Sequence, residues 1–366
     1  MGDLFLSGKK SENVKQVAME KNHRDDALLS AMNDSSGNRP VIPTTLPLMS
    51  YKQFLDFHMC VSPITIAICT FGIVSNIVNI VVFYKMGLSS ASTISLFSLA
   101  IADTFNISAV MVMSFEDMFD DRHLPMRMRD VTFVTTHAFY FFSAMCSWIT
   151  TIISMERSCC IIYPLKVKQI FTPRTIFALI TGMVIYQIAA GLPKSLATGL
   201  TTTISSLTNQ TVTFFDFAKL DIFMYTTSQF VSFSVPNLIC FFIVLVGTVF
   251  FIINFKQSRQ LRNTMSGSGE KSDKMSDKDA RLIRLVIFIC IIYIVGAAPN
   301  TGLFLVQTAY PPLKRNDPYF ANFIHALNIA SNSFQATASS VNIFVYFIMG
   351  SKFKETLKEI ALCRAN

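Results

Sequence analysis

Charge is scarce in this chain. Only 15% of its 366 residues are Asp, Glu, Lys or Arg, too few to coat an ordinary water-soluble domain. Tryptophan occurs once, and the eight cysteines and five histidines show no metal-ligand spacing. A zinc site, a metal cofactor and an enzymatic reading are therefore excluded, and no cofactor is expected. The N-terminal 1–58 lacks an apolar run, so no cleaved signal peptide is expected. Leu6 stands where a myristoylation signal beginning at Gly2 needs Ser or Thr. Short alternating segments of a membrane β-barrel are missing. So is an inverted repeat between halves, which counts against a transporter.

What the chain has instead is apolar length. Hydrophobic residues make up 51%, with 34 Phe. Apolar stretches run over about 61–84, 91–115, 132–155, 174–193, 223–253, 282–307 and 319–349. Each is about as long as the ~20 residues a helix needs to cross a bilayer core. Backbone groups in lipid must pair within the segment, which selects helices. The expected fold is an all-α integral membrane protein: a seven-transmembrane helix bundle, residues 60–350, with a short amphipathic eighth helix at 351–366. Residues 1–59 form an extracellular tail, and a Ser/Lys/Asp/Gly-rich third cytoplasmic loop covers about 254–280.

Orientation follows from the basic residues. With the N-terminus outside, the inner face collects Lys85, Arg157, Lys166, Lys168, Arg174, the basic stretch from Lys256 to Arg284, and Lys352, Lys354, Lys358 and Arg364. The formal charge of +8 is then an inner-face excess suited to anionic lipid, and nucleic acid is not an expected partner. Asn33 and Asn209 head glycosylation sequons on the outside, whereas the Asn106 sequon lies within a span.

Several polar residues sit where lipid disfavours them. An aspartate at a helix centre costs about 2.5–3.5 kcal/mol on insertion scales. Asp103 nonetheless lies mid-span among small residues, and Asn76, Asn79 and Asn342 are its natural hydrogen-bond partners. Two readings stay open: a structural polar cluster, or a conformational switch that holds an ion or proton. Glu156-Arg157 ends the third span at the cytoplasmic edge, where an acid beside an arginine reads as an interface anchor. In the tail, Phe353, Leu357 and Ile360 alternate with Lys352, Lys354 and Lys358 as in an interfacial helix. Cys363 follows as a palmitoylation candidate or a free thiol. Thr201–Ile204 and Thr211–Phe214 flank Asn209-Gln210 like a hairpin.

These motifs together resemble the rhodopsin-like G-protein-coupled receptors over about residues 60–363. Asn76, the Leu99–Asp103 Leu-Ala-x-Ala-Asp run, Glu156-Arg157-Ser158, Pro164, Pro236, Pro299 and Asn342–Tyr346 match in order. The resemblance implies an activation switch through Asn76, Asp103, Cys146, Pro236, Pro299, Ser339, Asn342 and Tyr346. It further implies an inner gate at Glu156, Arg157 and Asp279, a heterotrimeric G protein as partner, and plasma-membrane location. Departures accompany the matches. Thr132 stands where the family places a third-helix cysteine, and no Cys lies between 161 and 239, so no extracellular disulfide is expected. Gly296-Ala297-Ala298-Pro299 lacks the family's tryptophan, and Ile343 replaces the seventh-helix proline. Cys146 stands where the family offers a hydroxyl to an ion, while Ser339 retains one. The nearest likeness is to the divergent receptors expanded in molluscs and other invertebrates.

The ligand class narrows but does not close. No Lys lies between 316 and 351, so retinal attachment is excluded. Phe139 replaces the aspartate of amine receptors, with no acid between Val131 and Met155. A peptide is suggested by the hairpin and by outer acids Glu116, Asp117, Asp120 and Asp121. A small chemosensory molecule is suggested by Phe139, Phe142, Phe230 and Phe233, which suit an apolar pocket or ordinary helix packing. The alternative outside the receptor class is a multi-span channel or transporter.

Overall fold

The computed structural model describes residues 47–118, 126–162, 167–204, 211–216, 221–265, 277–309 and 319–363, some near helix ends by backbone alone. The chain forms two units, Met1–Pro47 and Leu48–Asn366. The first lies outside the described residues except for its last position.

Helix α1 spans Tyr51–Met86 and opens on a capping box. Gln53 N–H donates to Ser50 Oγ at 3.3 Å, and Ser50 N–H donates to Gln53 Oε1 at 3.0 Å. Two otherwise orphaned donors are satisfied, so the helix starts ten residues before the apolar run and Tyr51–Met59 leave the expected tail. Gly87, at φ 87°, ends it in the left-handed region that glycine tolerates. Helices α2 (Ala91–Met118) and α3 (Met126–Ile162) follow. A single turn, Val167–Ile170, precedes α4 (Pro173–Leu196), which is capped by Thr172 with proline at its first position.

Strands β1 (Gly199–Ile204) and β2 (Thr211–Asp216) form an antiparallel hairpin with Thr202 opposite Thr213. This is the hairpin expected from the β-branched runs; its turn, with Asn209, is outside the described residues. Helix α5 has three parts: Ile222–Gln229, a π turn Phe230–Ser234, and Val235–Met265. The π turn immediately precedes Pro236, whose ring and missing N–H would break a regular ladder there. Beyond the membrane, α5 continues to Met265, and α6 (Asp277–Ala309) starts at Asp277. The expected loop of 254–280 is thus shorter than composition implied. Gln257 to Met265 contains no Gly or Pro to interrupt the helix.

Helix α7 consists of Ala321–Ser340 and Asn342–Met349, interrupted at Val341. Phe344 N–H bonds the Val341 carbonyl there at 3.1 Å, a tighter three-residue step. The interruption persists although Ile343 stands in place of proline. Helix α8 is Ser351–Cys363.

Among the described residues, six helices are long and apolar enough to cross a membrane. The seventh, α7, carries Asn322, Asn328, Ser331, Asn332, Ser333 and Gln335, too polar to qualify by composition, and enters the bundle through its partners. The helices pack in a ring, α1 on α2, α2 on α3, α3 on α5, α5 on α6, α6 on α7, with α7 closing on α1. Large apolar side chains point outward on most helices, among them Val74, Phe177, Ile185, Phe223, Val246 and Val295. Asp103, Asn76, Asn79, Asn106 and a series of serines lie inside. Polar inside and apolar outside is the arrangement that lipid as solvent selects.

Candidate functional site

The centre of the bundle is built on Asp103, 2% exposed, in the middle of α2. Its Oδ1 accepts from Ser339 Oγ at 2.7 Å and from Cys146 Sγ at 3.3 Å, and its Oδ2 accepts from Asn342 Nδ2 at 3.0 Å. One carboxylate therefore ties α2 to α3 and to both halves of α7. The break at Val341 separates Ser339 from Asn342 and lets both reach the same side chain. Asn76 does not touch Asp103. Its Nδ2 instead donates to the Ser339 carbonyl at 3.1 Å and to the Gly72 carbonyl at 3.0 Å, and Asn79 Nδ2 donates to Asn76 Oδ1 at 3.3 Å. Gly72 is required: a Cβ there would lie 2.1 Å from Ser340 Oγ. Asn76 thus acts on Asp103 through the α7 backbone.

Both carboxylate oxygens are already occupied by donors, and one donor is a thiol. Hard cations prefer oxygen ligands, a preference that the carboxylate and Ser339 Oγ meet and the Cys146 thiol does not.

Beside Asp103 lies a cavity of about 40 Å³, bordered by Cys146, Tyr293, Gly296, Gln335, Ser339 and Asn342. That is room for about two or three waters. A second cavity of about 30 Å³ is bordered by Ser143, Asn237, Asn300, Phe304 and Phe233, and it shares Gln335 and Ala297 with the first. A polar chain crosses between them. Gln335 Nε2 donates to Ser143 Oγ at 2.5 Å, Asn300 Nδ2 donates to Gln335 Oε1 at 3.4 Å, and Ser147 Oγ donates to Asn237 Oδ1 at 2.5 Å. Helices α3, α5, α6 and α7 are joined through amides and hydroxyls at the level where the sequence lacks a tryptophan.

Residues 75–346 match the model of the seven-transmembrane receptors of the rhodopsin family. This chain belongs to that family. No curated protein matches it. The receptor is accordingly a multi-pass membrane protein and not an enzyme.

Near the C-terminal end of α3, Glu156 is buried and its Oε1 accepts from Ser92 Oγ at 2.6 Å. The third-helix acid is therefore held by α2. The side chains of Arg157 and Asp279, and that of Cys363, lie outside the described residues, as do Asn33 and Asn209. Tyr346 is buried against Phe83 and Phe353, ring centroids 5.1 and 5.7 Å away. Phe353 thereby anchors α8 under α1, and Lys352 Nζ donates to the Met86 carbonyl at 3.2 Å. Pro299 lies inside α6.

Of the four phenylalanines expected to line one pocket, Phe233 alone borders either of the two cavities described above. Phe233 borders the second cavity, and Phe139 meets it at 6.4 Å. Phe142 stacks at 4.8 Å on Phe105, which is half exposed on the outer surface. Phe230 is itself 45% exposed and meets Phe304 at 6.1 Å. Glu116, one of the outer acids that suggested a peptide ligand, is buried near the end of α2. Asp117, Asp120 and Asp121 are outside the residues with described side chains.

Sequence reasoning missed Gln335, Asn300, Asn237 and the Ser143/Ser147 pair. The signal was available, because each is a polar residue within an apolar stretch and the argument applied to Asp103 applies to them. It also missed Lys194, placed just beyond the fourth stretch but buried in the last turn of α4.

Proposed function

We propose that the receptor lies in the plasma membrane with its N-terminus outside, binds an extracellular ligand in the outer half of the bundle, and activates a heterotrimeric G protein at the inner face. The three-way tie of Asp103 to α2, α3 and α7 carries this reading. Ligand contacts on Asn300 or Phe233 would fall at the second cavity, which Gln335 joins to the one bordered by Ser339 and Asn342. A shift there alters the bonds of Asp103, and so the position of the inner half of α7 with Tyr346 and α8. A ligand changes the equilibrium only by its difference in affinity between two such arrangements. The inner gate is assigned to Arg157 with Glu156 and Asp279, and Asn33 and Asn209 to glycosylation. The test is guanine-nucleotide exchange on added G proteins by the reconstituted receptor, with ion flux measured in the same vesicles. Exchange without flux is expected. Flux without exchange would establish a channel.

A further inference from the structure

In the orientation proposed above, the outer end of α4 carries a buried cation. Lys194 is 2% exposed and shares its surroundings with α3 and α5. Its Nζ donates to Gln229 Oε1, lies 3.8 Å from the centre of the Tyr140 ring and 5.1 Å from that of Tyr225. No carboxylate among the described residues lies within ion-pair distance of it. A lysine that merely anchors a helix at the lipid interface extends its ammonium into water; this one points inward. Ionisable residues buried in a spanning bundle are costly, and they mark ligand or ion paths.

The site is built rigidly. Ser228 Oγ accepts the Lys194 backbone N–H at 3.1 Å and donates to the Ala190 carbonyl at 2.6 Å. The hydroxyl of α5 is thus spliced into the α4 ladder and fixes the lysine's direction. The Tyr140 ring in turn packs at 4.6 Å on Phe233, which borders the second cavity. An independent group lies on the same Tyr225 ring: His137, at 6.3 Å between centroids. His137 Nδ1 is 2.7 Å from the Phe133 carbonyl, which can only accept. The neutral ring therefore carries its proton on Nδ1, and Nε2 presents a lone pair. That Nε2 is buried with no partner among the described residues. A cation lacking its anion and an acceptor lacking its donor face one aromatic cluster.

We propose that Lys194 and His137 together recognise a carboxylate flanked by an N–H donor, as at the free C-terminus of a peptide or in an N-acyl amino acid. The inference deepens the receptor reading and rests on it: the group is the anionic end of the extracellular ligand. Lys194 supplies the charge-assisted bond, His137 Nε2 accepts the adjacent N–H, and the tyrosine faces exclude water.

The test uses the full chain in nanodiscs of neutral phosphatidylcholine and three probes at millimolar concentration. N-acetylphenylalanine has both groups, 3-phenylpropionate only the carboxylate, and N-acetylphenylalaninamide only the amide N–H. The full probe should raise the melting temperature most, the acid less, and the neutral amide not at all. Lys194→Met should weaken binding of both acids about tenfold or more, while His137→Phe weakens only the acylated one. Ligand-free Lys194→Met should melt at or above the wild-type temperature, because it removes a buried charge that has no carboxylate partner among the described residues. Equal effects of acid and amide, undiminished acid binding by Lys194→Met, or no stabilisation by any probe would overturn the proposal. So would a fall in the melting temperature of ligand-free Lys194→Met, which makes the lysine a structural clamp. Stabilisation of wild type, but not of Lys194→Met, by phosphatidylglycerol nanodiscs without added acid would assign the anion to a lipid headgroup instead. Nucleotide exchange in the same samples separates the two readings. Intact exchange with no acid binding removes only this inference, and acid binding with no exchange removes only the G-protein reading.

Discussion

Asp103 accepts three hydrogen bonds from side chains on two other helices, and each donor is buried. Removing the acceptor strands them at about 1–3 kcal/mol for each buried polar group left unpaired. Asp103→Ala is therefore expected to lower thermal stability, whereas Asp103→Asn retains an oxygen for Ser339 and Cys146 and reaches the surface near normally. Asp103→Asn should still change agonist-dependent signalling, because its amide meets the Asn342 amide where a carboxylate oxygen stood. Unaltered signalling by that variant at matched surface expression would leave the cluster a structural one. This centre was legible in the sequence, because an acid amid Leu99–Ala102 is anomalous in lipid and asparagines in the first and last spans are plausible partners. The route was not. Asn76 meets Asp103 only through the Ser339 carbonyl, and a backbone acceptor leaves no mark in a residue pattern. Gln335 and Lys194 were equally anomalous, but their role depends on which face of α7 and α4 turns inward, and that is fixed by packing.

At the scale of the helix, close approach matters more than hydrophobicity. A Cβ on Gly296 would lie 2.4 Å from the Ala338 Cβ, so α6 and α7 touch through a glycine beside the Asp103 cavity. Gly296→Ala should force these helices apart at a cost of about 1–3 kcal/mol and change basal nucleotide exchange. Adding Ala338→Gly should restore both stability and exchange. No rescue would mean that the contact is not what the alanine disturbs. The α8 helix presents a second case. Phe353 is 3% exposed against Phe83 and Tyr346, while Lys352 and Lys354 face outward. The amphipathic pattern was readable from spacing alone, and it places Cys363 at the end of a helix docked along the bundle. Hydroxylamine-sensitive acyl labelling of wild type, lost in Cys363→Ser, is expected, and no labelling of either would remove the lipid anchor. Helix ends were less legible. The capping box at Ser50 and the polar continuation of α5 to Met265 both lengthen helices past their apolar runs, because capping and propensity act where hydropathy is silent.

For the whole molecule, the seven-helix ring was evident from the lengths of the apolar stretches. The seventh stretch, 319–349, is the most polar of them, since α7 supplies Ser339, Gln335 and Asn342 to the interior. Ligand class stayed open at the sequence level because which faces meet is fixed by packing: Phe233 borders a cavity with Phe139 packed on it, while Phe142 stacks on Phe105. In the proposed signalling route, changes around Asp103 reach a G protein through the inner gate. An ion pair at the membrane edge contributes about 1 kcal/mol, and ~1.4 kcal/mol shifts a two-state equilibrium tenfold. Asp279→Ala is accordingly expected to raise ligand-independent signalling several-fold, with unchanged basal activity removing Asp279 from the gate. The most direct measurement is guanine-nucleotide exchange catalysed by the purified, reconstituted receptor and by Arg157→Ala at equal folded protein. Exchange above the receptor-free rate for wild type, falling to that rate in Arg157→Ala, is the predicted result. Full exchange by Arg157→Ala would contradict the account, because it would take from the inner gate the residue on which coupling depends.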